Sequence, residues 1–187
     1  LFVESLKPHG VRFFLQEFSH AYSWIVEDYV LGRRDSFQHF LSLFDGDWLR
    51  NLRRINQTLP EDEWIAFRYF DMNHINDAGL LSLGIMNEEV EILPYVKDVL
   101  STCPQSIEYE NTISDLYILL TEEREKIRSH ITLFWYDRLL EIMEIEKRSL
   151  PVRKRWNDHA REQIMIDLAL RTIEENSNQE DPWLLLF

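Results

Sequence analysis

Glycine and proline are scarce, with five and six in 187 residues. A chain of many strands needs more of both at its turns, so the composition points to helices. Cysteine is nearly absent: Cys103 stands alone, no disulfide can form within the chain, and a reducing compartment suits it. No apolar run approaches the roughly 18 residues that would mark a membrane span. No signal-peptide pattern is present. An intracellular protein, cytoplasmic or nuclear and without membrane contact, is the expectation. Positive charge is also short, 20 basic against 33 acidic residues, for a net charge of −13. Such a surface repels phosphate backbones, which disfavours nucleic acid as a partner, and the deficit is shared about equally by both halves. The first residue is Leu1 rather than Met, so a piece of a longer protein is expected.

Aromatic residues are plentiful. Eleven Phe, seven Tyr and six Trp, within a hydrophobic share of 45%, supply a packed core and argue against disorder. Val11 to Leu31 reads as an amphipathic helix stopped by Gly32, with Phe14, Leu15, Phe18, Tyr22, Ile25, Val26 and Tyr29 at helical spacing. Asp35 or Ser36 is placed to cap a short helix through Phe44, and Asp45-Gly46-Asp47 turns the chain into a helix over Trp48 to Asn56. Thr58-Leu59-Pro60-Glu61 resembles another helix start. A short helix from Ile75 to Leu83 is expected to end at Gly84, and Asn87 to cap a further helix to about Ser101, with Pro94 a kink or a later start. Ile113 to Leu150 reads as one long helix with a break admitted at Glu122-Glu123-Arg124-Glu125-Lys126. Pro151 is expected to end it, and a last helix from Val152 to Glu175 to complete an αα-hairpin.

Trp48-Leu49, an aromatic at Phe67 or Phe70, and Ile75, Asp77, Leu80, Leu83, Gly84 and Ile85 together resemble the sterile alpha motif (SAM) domain over residues 46–101. The resemblance implies a five-helix unit, with Ile92, Leu93, Val96 and Leu100 on the inner face of its last helix. Members of that family that polymerise or read RNA hairpins use basic residues at the start of that helix. Here the segment is Asn87-Glu88-Glu89-Val90-Glu91, which weakens both uses.

Chemistry-bearing motifs are few. No His-Glu-x-x-His zinc-peptidase pattern, Gly-rich phosphate loop or Gly-x-Ser-x-Gly elbow occurs. Asp71 and His74, three apart, read as a capping or surface contact, and Cys103 has no local base. Lys147, Arg148, Arg153, Lys154 and Arg155 form the one basic cluster, read as a salt-bridged turn before a targeting signal or phosphate contact. The apolar ending Trp183-Leu184-Leu185-Leu186-Phe187 folds back into a groove, begins an element that continues in the parent, or anchors a partner.

The expected architecture is therefore all-α: a SAM-like unit at 46–101 between an N-terminal helical layer, 1–45, and a C-terminal helical hairpin with its apolar tail, 113–187. The expected function is a non-catalytic scaffold or adaptor domain that needs neither metal nor cofactor. Its docking residues would be Glu88, Glu89, Glu91, Phe134, Trp135 and Trp183, and its partner a protein with a basic surface. Alternatives are a dimerising subunit of a nuclear or ribonucleoprotein assembly, pairing through Phe134 and Trp135, and a helical enzyme or small-molecule binder. A desolvated carboxylate beside His74 or His130 would point to the last of these.

Overall fold

A computed structural model describes residues 5, 11–35, 46–73, 78–90, 107–175 and 184–185. The elements are β1 (Phe13–Ser19), α1 (Ser23–Val30), α2 (Gly46–Asn56), β2 (Ala66–Asp71), α3 (Ala78–Glu89), α4 (Ile107–Glu122), α5 (Arg124–Arg128), α6 (Leu133–Lys154), α7 (Asp158–Glu175) and β3 (Leu184–Leu185). Tight 3₁₀ turns at His20–Tyr22 and Glu61–Glu63 follow β1 and precede β2. The chain divides into two compact units. One holds residues 1–18, 23–70 and 166–187, and the other holds 19–22 and 71–165.

The first unit contains a three-stranded sheet in the order β2-β1-β3. β3 lies parallel to β1, with Phe14 opposite Leu184 and Leu15 opposite Leu185. The Ala66 amide donates to the Arg12 carbonyl where β1 and β2 begin, and these two strands are also parallel. This sheet overturns the all-α expectation. Residues 11–31, expected as one helix, are a strand, a turn and a helix, and β2 occupies a position that a five-helix unit over 46–101 would give to a helix. The physical reason lies in Phe13-Phe14-Leu15, all buried. An unbroken apolar run satisfies a helical stripe and a strand covered on both faces equally well, so periodicity does not separate them.

Alternation along the strands builds an aromatic chain. Phe14 meets Trp48 edge-on at 5.4 Å, Trp48 meets Phe67 at 5.4 Å, Phe67 meets Tyr69 at 5.0 Å, and Tyr69 meets Phe18 at 5.1 Å. Each such pair adds roughly 0.5–1.5 kcal/mol beyond its buried area. Burial also pushes the Tyr69 hydroxyl pKa well above the usual phenol range. Gly32, at φ +72°, closes α1 as expected, because only glycine takes that backbone freely. Arg68 bridges Glu27 at 3.3 Å and Glu175 at 2.8 Å.

Two helix boundaries depart from expectation, and the break admitted in the long helix is present. α3 continues through Gly84 rather than ending there. α6 runs on past Pro151 to Lys154, and the connection to α7 is 155–157. Pro151 has no N–H to give the carbonyl four residues back, so the helix forgoes one bond there while the Pro151 carbonyl still accepts from the Arg155 amide. The long helix is broken near the charged patch into α4, α5 and α6. Thr132 caps α6, its hydroxyl accepting from the Trp135 amide.

Asn56 ties the first unit together. Its amide donates to the carbonyls of Val30 (3.1 Å) and Ile65 (2.9 Å) and accepts from the Ile65 amide (2.9 Å), all in buried surroundings. Asn56→Ala strands those groups without water, so denaturant unfolding should report a loss of about 2–4 kcal/mol. A change below about 0.5 kcal/mol, the range of ordinary surface substitutions, would contradict this role.

Candidate functional site

The second unit gathers polar side chains just past the ends of β1 and β2. Parallel strands collect ligand-handling residues at their carboxyl ends, because the loops leaving there converge. His20 directly follows β1, Asp71 is the last residue of β2, and Asn73 lies two residues beyond.

The centre is Glu146 on α6, fully buried. Its Oε1 accepts from Arg153 Nη2 at 2.5 Å and from the Tyr109 hydroxyl at 3.2 Å, and its Oε2 accepts from Asn73 Nδ2 at 2.9 Å. Glu146, Ser149 and Arg153 recur at three- and four-residue steps and so share one face of α6. A buried carboxylate is tolerable only when paired and hydrogen-bonded, and three donors meet that condition.

Asn73 uses every polar group it has. Its Oδ1 accepts from the Ala21 amide at 3.0 Å, its amide donates to Ser149 Oγ at 2.9 Å, and its carbonyl accepts from Arg153 Nη1. Ala21, the residue after His20, is also held from the other side, where its carbonyl accepts from Ser82 Oγ at 2.6 Å. Asp71 is buried too. Arg161 grips it through Nε, 3.1 Å from Oδ1, and through Nη2, 2.6 Å from Oδ2. The geometry is a two-pronged fork.

His20 is 4% exposed, and its Nε2 lies 2.9 Å from Oε1 of Glu141, which is 32% exposed. A carboxylate oxygen can only accept, so Nε2 donates, and a neutral ring then bears its lone pair on Nδ1. A histidine oriented by a carboxylate in this way is equipped for proton transfer. Among the described residues, no group of three or more His, Cys, Asp or Glu side chains is arranged to hold a metal ion.

The expected docking residues lie outside this centre. Phe134 and Trp135 are the pair brought together, edge-on at 5.4 Å, with the Arg138 guanidinium 3.9 Å from the Phe134 ring centroid. Glu88 is exposed on α3, and Glu89 is the last residue of that helix. Glu91 and Trp183 fall outside the described residues, as do His74 and Cys103, and His130 is exposed. The basic cluster is largely engaged: Arg148 lies 4.0 Å from Glu144, Lys154 pairs with Glu110 at 3.1 Å, Lys147 sits over Tyr117, and Arg153 holds Glu146.

Sequence reasoning passed over His20, although Glu17-Phe18-Ser19-His20 offered a Glu-x-x-His spacing. Here Glu17 is on a strand rather than a helix, and Glu141, 121 residues away, places a carboxylate at the ring.

No protein-family model matches the chain, and no curated protein sequence matches it. A solved structure does: erythromycin esterase EreC, a point mutant in its open conformation, with a TM-score of 0.62 and 12% identity. The match covers 98% of this chain and 55% of the other, so the chain spans about half the length of that structure. At this identity the likeness establishes the fold, one of helices with a sheet. Among the described residues, no helix is long and apolar enough to cross a membrane.

Gly79 lies on the first turn of α3, against Glu146. A Cβ there would fall 2.9 Å from Cδ of Glu146 and closer still to Oε2. Because three donors hold that carboxylate, it cannot swing aside, and Gly79→Ala should cost about 1–3 kcal/mol in thermal or denaturant unfolding. Gly84, five residues on in the same helix, has open space at the corresponding position. Gly84→Ala should therefore stabilise by about 0.5–1 kcal/mol. Equal responses at the two glycines would contradict the clearance argument.

Proposed function

We propose that this chain carries acid–base machinery of a hydrolase acting on esters, with His20 as the general base and Glu141 as the carboxylate that orients it. The observation that carries the reading is the His20–Glu141 contact of 2.9 Å beside the carboxyl end of β1. His20 sits in a dry setting while Glu141 reaches solvent. The fold likeness to a protein named as an esterase supports this choice of reaction class. This reading departs from the non-catalytic expectation, which rested on local motif spacing and is blind to partners far apart in sequence.

The chemistry is a water-mediated hydrolysis. Nδ1 of His20 takes a proton from a water as that water's oxygen adds to the ester carbonyl carbon. Glu141 stabilises the imidazolium that forms and fixes the ring's orientation. Collapse of the tetrahedral intermediate breaks the carbon–oxygen bond to the alcohol, which leaves with the proton returned by His20. Acid and alcohol are the products, and no electrons are exchanged.

A second reading has its own observation. Leu133 and Phe134 open α6 about half exposed, an adjacent apolar pair suited to a second copy of the chain. Sedimentation equilibrium tests it. A dimer that Phe134→Ser converts to monomer supports this reading, and a monomeric wild type removes it.

For the hydrolase reading, the purified protein is assayed by release of the coloured alcohol from chromogenic aryl esters. His20→Ala should lower the rate about 10²–10⁴-fold, to a residual above background, and Glu141→Gln should lower it by no more than that. His20→Ala empties a buried position and should lower the melting temperature, so rates are compared at a temperature where each variant is folded. Undiminished hydrolysis in His20→Ala, or none by the wild type across aryl and alkyl esters, would contradict the proposal.

A further inference from the structure

Resting on the reading of His20 as a base, we infer that Glu146 is a positioning residue that acts on His20 through Asn73. The chain of contacts is unbroken and buried. Arg153 and Tyr109 hold Oε1 of Glu146, Oε2 receives Asn73 Nδ2, and Asn73 Oδ1 receives the Ala21 amide. Fixing Nδ2 on a carboxylate settles which way the Asn73 amide faces, since its two ends have opposite hydrogen-bonding character. With Nδ2 directed at Glu146, Oδ1 is the end presented to Ala21. Ala21, the residue next to His20, is then clamped at its amide by Asn73 and at its carbonyl by Ser82. The imidazole is thereby aimed at Glu141.

Charge explains why the residue is glutamate. Every group that meets the Glu146 carboxyl is a donor: a guanidinium, a phenol and an amide N–H. Glutamine has the same shape but one end that donates. Whichever way it sits, a donor faces a donor, either at Asn73 or at Arg153 and Tyr109. Gly79 supplies the clearance that lets the carboxylate approach α3.

The test uses the intact protein and reads His20 directly, by long-range proton–nitrogen NMR of its imidazole, alongside ester hydrolysis. In the wild type His20 should give a single tautomer with the proton on Nε2. Glu146→Gln and Asn73→Ala should convert this to a mixture and lower kcat about tenfold with KM within twofold. Tyr109→Phe removes one donor and no carbon atom, and should move both readouts the same way by less, which covers the case in which Glu146→Gln does not fold. Leu120→Ala truncates a buried apolar side chain of the same unit. It should cost stability while leaving the His20 signal unchanged.

An unchanged His20 tautomer in all three relay variants overturns the inference, as does an equal disturbance in Leu120→Ala. Because the NMR readout needs no substrate, it fails or succeeds apart from the hydrolase reading. A relay-dependent tautomer in a protein that cleaves no ester sustains the positioning role and removes the hydrolase.

Discussion

A carboxylate taken out of water must be answered by donors, and at Glu146 that requirement organises the second unit. Its partners come from three separate places in the chain: Asn73 after β2, Tyr109 on α4 and Arg153 on α6. Removing one partner of such a buried pair costs about 3–5 kcal/mol, because the remaining charge is left uncompensated. Replacing the whole set of charged and polar partners together by apolar side chains of similar volume is often neutral or stabilising, so stability alone does not account for the arrangement. What an apolar residue could not do is dictate which end of the Asn73 amide faces Ala21. The polar centre specifies orientation.

From that constraint the rest of the neighbourhood follows. Asn73 is saturated, which locks the segment leaving β2, and Asp71 is held by the Arg161 fork one step earlier. The turn after β1 is tied to the segment after β2 through the Ala21 amide. His20 projects from that turn to Glu141. A base must be held within hydrogen-bond reach of its target, and rigid neighbours provide that aim. The sheet of the first unit serves a different purpose. Its aromatic chain and Asn56 knit it internally.

Much of the helical framework was legible in the sequence. Gly32 stops α1, Asn56 ends α2, and the charged patch around Glu123 interrupts what composition alone would make one long helix. The strands were not legible, for a physical reason: Phe13, Phe14 and Leu15 are consecutive, and a strand buried on both faces has no alternation to read. Pro151 and Gly84 misled in the other direction, since neither breaks the helix that holds it. The site was hidden more deeply. Asn73 and Glu146 are 73 residues apart, and His20 and Glu141 are 121 apart, so no local spacing announces either contact. The clearance that Gly79 gives a carboxylate appears only once α3 and α6 are placed together. Of the expected docking residues, Glu88, Phe134 and Trp135 lie outside the polar centre, because exposure and amphipathicity point outward while the polar centre lies inward.

The account's central claim is that His20 and Glu141 act as one unit. A double-mutant cycle on ester hydrolysis tests this most directly, comparing wild type, His20→Ala, Glu141→Gln and the double variant. Residues that work as a unit are strongly non-additive, so the double variant should be no slower than His20→Ala alone. Independent losses, in which the two single effects multiply in the double variant, would show that Glu141 does not act through His20 and would contradict the account.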